Sequence, residues 1–153
     1  MKDMNKNSEN NIKVMRAEEP WQRTGAHYVR IQAMARQHGI SLDEEFDEHD
    51  NDCRYIVLLD NDFPIATCRM FPADDEILQI GRVVVLEEYR GKGLGRMTVL
   101  EAEAWGRELG YTKAAVDSRD VAVGFYKTLG YTEAGSGPEK NGPFVCVYME
   151  KVL

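Results

Sequence analysis

Long hydrophobic runs are missing from this chain of 153 residues. The longest apolar stretches, Tyr55–Leu59 and Val83–Leu86, fall far short of the roughly 18 residues that suggest a membrane span, so no membrane partner is expected. Cysteine is scarce: Cys53, Cys68 and Cys146 are odd in number and widely spaced. They match neither a disulfide framework nor the paired Cys-x-x-Cys spacing of a zinc site, which suits reduced thiols in a cytoplasmic protein. His27, His38 and His49 include no pair at metal-binding helical spacing, and no metal is expected. Positive charge is in deficit. With 26 acidic and 19 basic residues the net charge is 19 − 26 = −7, which disfavours nucleic acid as a partner. Residues 1–11 are rich in Asn and Lys and lack the apolar centre of a signal peptide, so they read as a flexible leader. Residues 12–153 then form a single domain, as their number suggests. At this size folding hides enough surface to hold a core without disulfides or metal. Nothing in the sequence sets the subunit count, and a homodimer is compatible with it.

Periodicity supplies the elements. Ile12–Arg16 alternates as an opening strand, and Trp21–Gln37 carries Ala26, Val29 and Ala33 at helical spacing with Gly39 as a stop. Ser41–Asp52 is acidic and reads as a solvated loop or short helix near a site mouth. Tyr55–Leu59 is a buried strand, and Asp60-Asn61-Asp62 turns it into Phe63–Phe71 as an antiparallel hairpin. After a turn over 72–76, Ile77–Leu86 is the central strand. Its loss of alternation at Val83-Val84-Val85 predicts cover on both faces. The spacing of Leu94, Met97, Leu100 and Ala104 predicts a helix that stops at Gly110. Thr112–Asp117 is a strand, Val121–Leu129 a helix closed by Gly130, and Phe144–Val152 a last strand after a loop over 135–143. The order predicts a mixed α/β sheet.

The chemistry concentrates between the central strand and the best helix, at Arg90-Gly91-Lys92-Gly93-Leu94-Gly95-Arg96. At a helix start several N–H groups lack intrahelical acceptors and the dipole is positive, while glycines let those amides approach an anion. Three cations in seven positions of an acidic chain add local attraction, so the segment reads as a cradle for a polyphosphate. The plainer reading is a tight turn shaped by glycine. A dinucleotide fingerprint would need glycine at position 96, and a nucleotide-triphosphate loop would need Ser or Thr after Lys92; neither is met.

On these residues the sequence resembles the GNAT superfamily of N-acetyltransferases, whose loop pattern is Arg or Gln, two residues, Gly, one residue, then Gly or Ala. Arg90, Gly93 and Gly95 fit it, and Tyr89 before the loop and Phe125-Tyr126 followed by Leu129-Gly130-Tyr131 extend the likeness over about residues 12–152. The phrases 44–50 and Ile80-Gly81-Arg82-Val83 look like the ElaA-like bacterial branch. The resemblance implies a mostly antiparallel central sheet with helices on both faces and a splayed central strand. It implies acetyl-CoA as acyl donor, the main chain of Val83, Val84 and Val85 along the pantetheine arm, and Arg90, Gly91, Lys92, Gly93, Leu94, Gly95 and Arg96 around the diphosphate. Tyr126 matches the family tyrosine that protonates the departing thiolate; on its own it would read as a core tyrosine on a face with Ala122 and Phe125.

The implied activity is acyl transfer to a small-molecule or peptide amine by direct attack in a ternary complex. Glu76, Glu45 and Glu48 are candidate proton acceptors, and the spacing selects none of them. Arg119 stands where many relatives carry Asn or Gln, and reads equally as a phosphate contact or a solvated helix-start residue. Arg82 either lines the acceptor site or pairs with an acidic neighbour. Two other readings remain open: a noncatalytic acyl-CoA-binding module, and an interaction domain using the acidic face over 41–52.

Overall fold

Hydrophobic alternation and turn chemistry set the first elements. A computed structural model of the chain describes residues 11–153, so the expected leader lies outside the described residues except for Asn11. The strands are β1 (Ile12–Arg16), β2 (Arg54–Asp60), β3 (Phe63–Pro72), β4 (Ile77–Val85), β5 (Lys113–Arg119), β6 (Thr132–Glu133), β7 (Glu139–Asn141) and β8 (Phe144–Val152). The helices are α1 (Pro20–Arg30), α2 (Leu42–Glu45), α3 (Leu94–Glu108) and α4 (Val123–Thr128). Two compact units divide the described residues: 11–71 with 82–102, and 72–81 with 103–153.

In the first unit β1, β2 and β3 follow one another in antiparallel pairs, and β4 comes next to β3. Asn61 and Asp62 both adopt positive φ, 48° and 68°, the conformation of the tight turn whose twist matches a hairpin. Tyr55 through Leu59 are all buried, consistent with the unbroken apolar run, and Tyr55, Val57 and Leu59 pack with Ala17 and Ala26. Helix α1 passes without interruption into a π-helical stretch over Ile31–Arg36, a widening that periodicity alone did not suggest. Gly39 at φ +65° ends the helical run.

In the second unit the order is β4, β5, β8, β6, with β7 also on β8. The β4–β5 pairing is parallel and runs only from Ile77↔Lys113 to Gln79↔Ala115, although both strands continue beyond it. That short ladder is the splay expected of the central strand. The β5–β8 pairing is antiparallel from Lys113↔Val152 to Arg119↔Cys146. Leu78, Ala114, Val116 and Met149 form the buried side, and α3 approaches closely there. A Cβ on Gly106 would lie 2.6 Å from Leu78 Cδ2, so any side chain there requires the buried Leu78 to shift.

Four expectations need correction. The buried residues of α3 include Leu94, Thr98, Val99, Ala102 and Trp105, while Leu100 is exposed, so the apolar stripe is rotated from the expected one. Val84 is buried but Val83 and Val85 are half-buried, so β4 alternates there after all. The segment over 41–52 does hold the short helix α2, but it is not simply solvated: Glu45 is buried in it, paired with arginines. The expected loop over 135–143 contains β7, which the main chain of β8 recruits despite its polar sequence. The fold is mixed α/β with a mostly antiparallel sheet and one parallel pair.

Candidate functional site

β4 leads the chain to the glycine-rich segment. The Leu86 N–H donates to the Ile65 carbonyl at 2.9 Å, and a short turn over Glu87–Tyr89 follows. The Tyr89 hydroxyl donates to Asp60 Oδ2 at 2.8 Å, and this hydrogen bond raises its pKa above the ordinary tyrosine value. Arg90 braces the loop: Nε donates to the Val85 carbonyl at 3.1 Å and Nη2 to Gln37 Oε1 at 2.6 Å. The Lys92 ammonium stands 5.4 Å from the centre of the Tyr89 ring.

Gly91 and Gly93 have φ of +78° and +77° with open space where a Cβ would be. Backbone conformation, and not crowding, therefore calls for glycine at both. The Gly93 carbonyl accepts from Met97 N–H at 3.2 Å, the opening bond of α3. The N–H groups of Leu94, Gly95 and Arg96 precede any intrahelical acceptor, at the positive end of a helix of 15 residues. Leu94 is buried and anchors the turn, while Lys92 and Arg96 are exposed beside it. Three free-facing amides, two cations and two left-handed glycines fit the diphosphate of coenzyme A.

Before the loop, Arg82 has φ +50°, a left-handed residue within a strand. A cluster that sequence reasoning missed surrounds its side chain. Arg30 of α1 is wholly buried; Nε donates to Glu45 Oε1 at 3.1 Å, Nη2 to the Glu45 carbonyl at 2.8 Å and Nη1 to Asp50 Oδ1 at 2.5 Å. Arg69 of β3 donates to Asp47 at 2.7 and 2.8 Å and to Asp50 at 3.0 Å. Arg82 donates from Nε and Nη2 to the Glu45 carbonyl at 3.2 and 3.1 Å. Burial opposes ionisation of Asp50 most strongly, but the hydrogen bonds from Arg30, the Asp47 N–H and the Tyr55 hydroxyl together with the Arg30 charge outweigh it and hold the carboxyl well below the ordinary range. Burial and then Arg30 lower the pKa of His27, which lies edge-on to Phe46 and Tyr55. The signal was there: Arg30 falls on the apolar face of α1 and Arg69 inside a buried strand, where a charge needs partners.

Of the proton-acceptor candidates, Glu45 is thus committed to arginine, and Glu48 and Glu76 are exposed.

In the second unit Tyr126 is buried, with Phe125 and Tyr131 edge-on at 5.0 and 5.6 Å. The Arg119 guanidinium stacks over Phe144 at 4.2 Å. Asp117 was not singled out by sequence; burial and then Glu139 raise its pKa, and Gln79 Nε2 donates to it at 3.3 Å.

With that geometry in view, comparison with known proteins is decisive. The profile of the Acetyltransferase (GNAT) family matches residues 14–131. The chain belongs to the GNAT acetyltransferase family. A crystal structure from Lactobacillus plantarum, provisionally named an N-acetyltransferase, superposes with a TM-score of 0.88 at 34% identity, covering 94% of this chain and 99% of that one. ElaA of Escherichia coli gives 0.76 at 21% identity, covering 92% and 99%. A GNAT family acetyltransferase from Elizabethkingia anophelis with acetyl-CoA bound gives 0.69 at 15%, covering 94% and 99%. The last two likenesses show the shared GNAT fold. ElaA is a structural neighbour, and the greater likeness to the Lactobacillus protein keeps the branch assignment broader than ElaA alone. Among the described residues no helix is long and apolar enough to cross a membrane.

Proposed function

We propose that the protein transfers an acetyl group from acetyl-CoA to a primary amine by direct attack in a ternary complex. The observation that carries the reading is the left-handed Gly93 whose carbonyl opens α3, leaving the Leu94, Gly95 and Arg96 amides for the diphosphate. Acetyl-CoA supplies an acetyl group activated as a thioester. The main chain of Val83–Val85 binds the pantetheine arm, and an amide at Val83 or Val85 donates to the thioester carbonyl as negative charge grows on its oxygen.

Tyr126 acts as general acid in this reading. As the amine nitrogen bonds to the acetyl carbon and the carbon–sulfur bond breaks, the phenol passes its proton to the leaving sulfur and recovers one from solvent. The attacking amine must first be neutral; with a reference pKa of about 10.4, deprotonating a lysine-like amine at pH 7 costs roughly 4–5 kcal/mol.

Mass detection of acetylated product over a broad amine panel tests the activity. Tyr126→Phe keeps the ring and removes the hydroxyl, so kcat is expected to fall by about 100-fold with little change in acetyl-CoA affinity. Unchanged kcat under conditions where chemistry limits the rate would remove Tyr126 from the mechanism. Tight acetyl-CoA binding with no product from any amine would favour the noncatalytic module.

A further inference from the structure

Three arginines from α1, β3 and β4 converge on the acidic segment over 45–50, and they are not equivalent. Arg30 and Arg69 are buried and hold carboxylates at hydrogen-bonding distance. The Arg82 side chain is 28% exposed, and its carboxylate contacts are longer, 3.3 Å to Glu45 and 3.6 Å to Asp47. Both of those carboxylates already bind another arginine, and the firm bonds of Arg82 go to a neutral carbonyl. Among the described residues its Nη1 has no hydrogen-bond partner. Burial and then the nearby Arg69 charge lower its pKa, so an added anion would relieve the site.

The backbone points the same way. A left-handed conformation is easiest for glycine, and Gly81 stands one residue earlier, yet the chain carries arginine at the residue with φ +50°. Such strain persists where the surroundings hold it or the side chain is needed there. Arg82 also directly precedes Val83, whose amide borders the reacting carbonyl in the reading above.

We propose that Arg82 is a specificity-determining residue: its outer guanidinium edge binds a carboxylate on the amine acceptor, so that amino-carboxylates are the favoured substrate class. This rests on the acetyl-transfer reading. A carboxylate fits the Nη1–Nη2 edge in a bidentate manner. It displaces only the 3.6 Å contact with Asp47, which keeps Arg69 at 2.7 and 2.8 Å. The overall charge of −7 gives such a substrate no general attraction, so a local cation must supply recognition.

The test uses the full chain with acetyl-CoA and matched acceptors: ω-amino acids of increasing length and their carboxamides. The wild type is expected to favour the carboxylate of one chain length by about 10–100-fold in kcat/KM, the worth of a charge-assisted pair. In Arg82→Gln the carboxylate-to-carboxamide ratio falls toward one, whatever the absolute rates. Arg82→Lys, with a point charge and no fork, gives an intermediate ratio and keeps the question open to measurement if the glutamine variant misfolds. Equal or reversed preference in the wild type, or an equal loss for both acceptors in either variant, overturns the proposal while leaving acetyl transfer intact. Absence of transfer to every ω-amino acid and carboxamide overturns this proposal, and the acetyl-transfer reading falls with it only if the broad amine panel also yields no product.

Discussion

Replacing Asp50 by Asn removes one charge from the arginine cluster and almost no volume. The Asp50 side chain is only 9% exposed and accepts from Arg30 at 2.5 and 3.2 Å, Arg69 at 3.0 Å, the Tyr55 hydroxyl at 2.8 Å and the Asp47 N–H at 2.9 Å. Without its charge, Arg30 is left wholly buried with the Glu45 carboxylate as its remaining ion-pair partner in the cluster. Removing one partner of a buried pair costs about 3–5 kcal/mol, because the other charge stays desolvated. Arg69 keeps Asp47 and the amide keeps one acceptor oxygen, so the lower end applies, about 3 kcal/mol. For a chain of this size, about 2–4 °C per kcal/mol, the Tm should fall by about 6–12 °C. Calorimetry against Asp47→Asn is the assay. Asp47 is 35% exposed, and its loss should cost about 1 kcal/mol. An Asp50→Asn protein within about 1 kcal/mol of the parent would show that the cluster's attraction only offsets its desolvation, and would refute the reasoning.

The same cluster sets an acid limit. Because the folded-state pKa of Asp50 is depressed, its stabilisation is complete above the unfolded value of about 3.9 and is lost as pH falls from there toward the folded pKa. Urea titrations should therefore show a steeper loss of stability below pH 4 in the wild type than in Asp50→Asn; parallel curves would contradict this. Gly106→Ala places a methyl 2.6 Å from Leu78 Cδ2 in a filled core, and should destabilise by about 1–3 kcal/mol in denaturant titration. A stabilising result would mean that Leu78 yields readily. Gly93→Asp sets a carboxylate and a strained backbone at the opening of α3, and should weaken acetyl-CoA at least 100-fold by calorimetry; unchanged affinity would move the diphosphate elsewhere.

Much of the fold was legible because local chemistry agreed with the tertiary result. The Asp60-Asn61-Asp62 turn and the glycine stops at 110 and 130 each favoured one conformation, as their positive φ values show, and the β-branched run before residue 86 formed the expected strand β4. The glycine-rich loop and the helix start at Leu94 were legible for the same reason, since both are local features. What escaped depended on contacts distant in sequence. Arg30, Asp50 and Arg69 are 20 and 19 residues apart in their pairings, so periodicity could not show that an acidic stretch was a buried counter-charge. The α3 stripe was misjudged because Thr98 and Glu103 are buried polar residues, satisfied by the Gly95 carbonyl and by Tyr131 with Lys151. Polarity at these positions hid the true face.

The central claim is that the main chain at the start of α3 holds the diphosphate of acetyl-CoA. Amide resonances followed during titration with acetyl-CoA test it residue by residue. The largest shifts, with slowed hydrogen exchange, are predicted at Leu94, Gly95 and Arg96, and inorganic pyrophosphate should reproduce them weakly. Saturable binding that leaves those three amides unmoved would contradict the account.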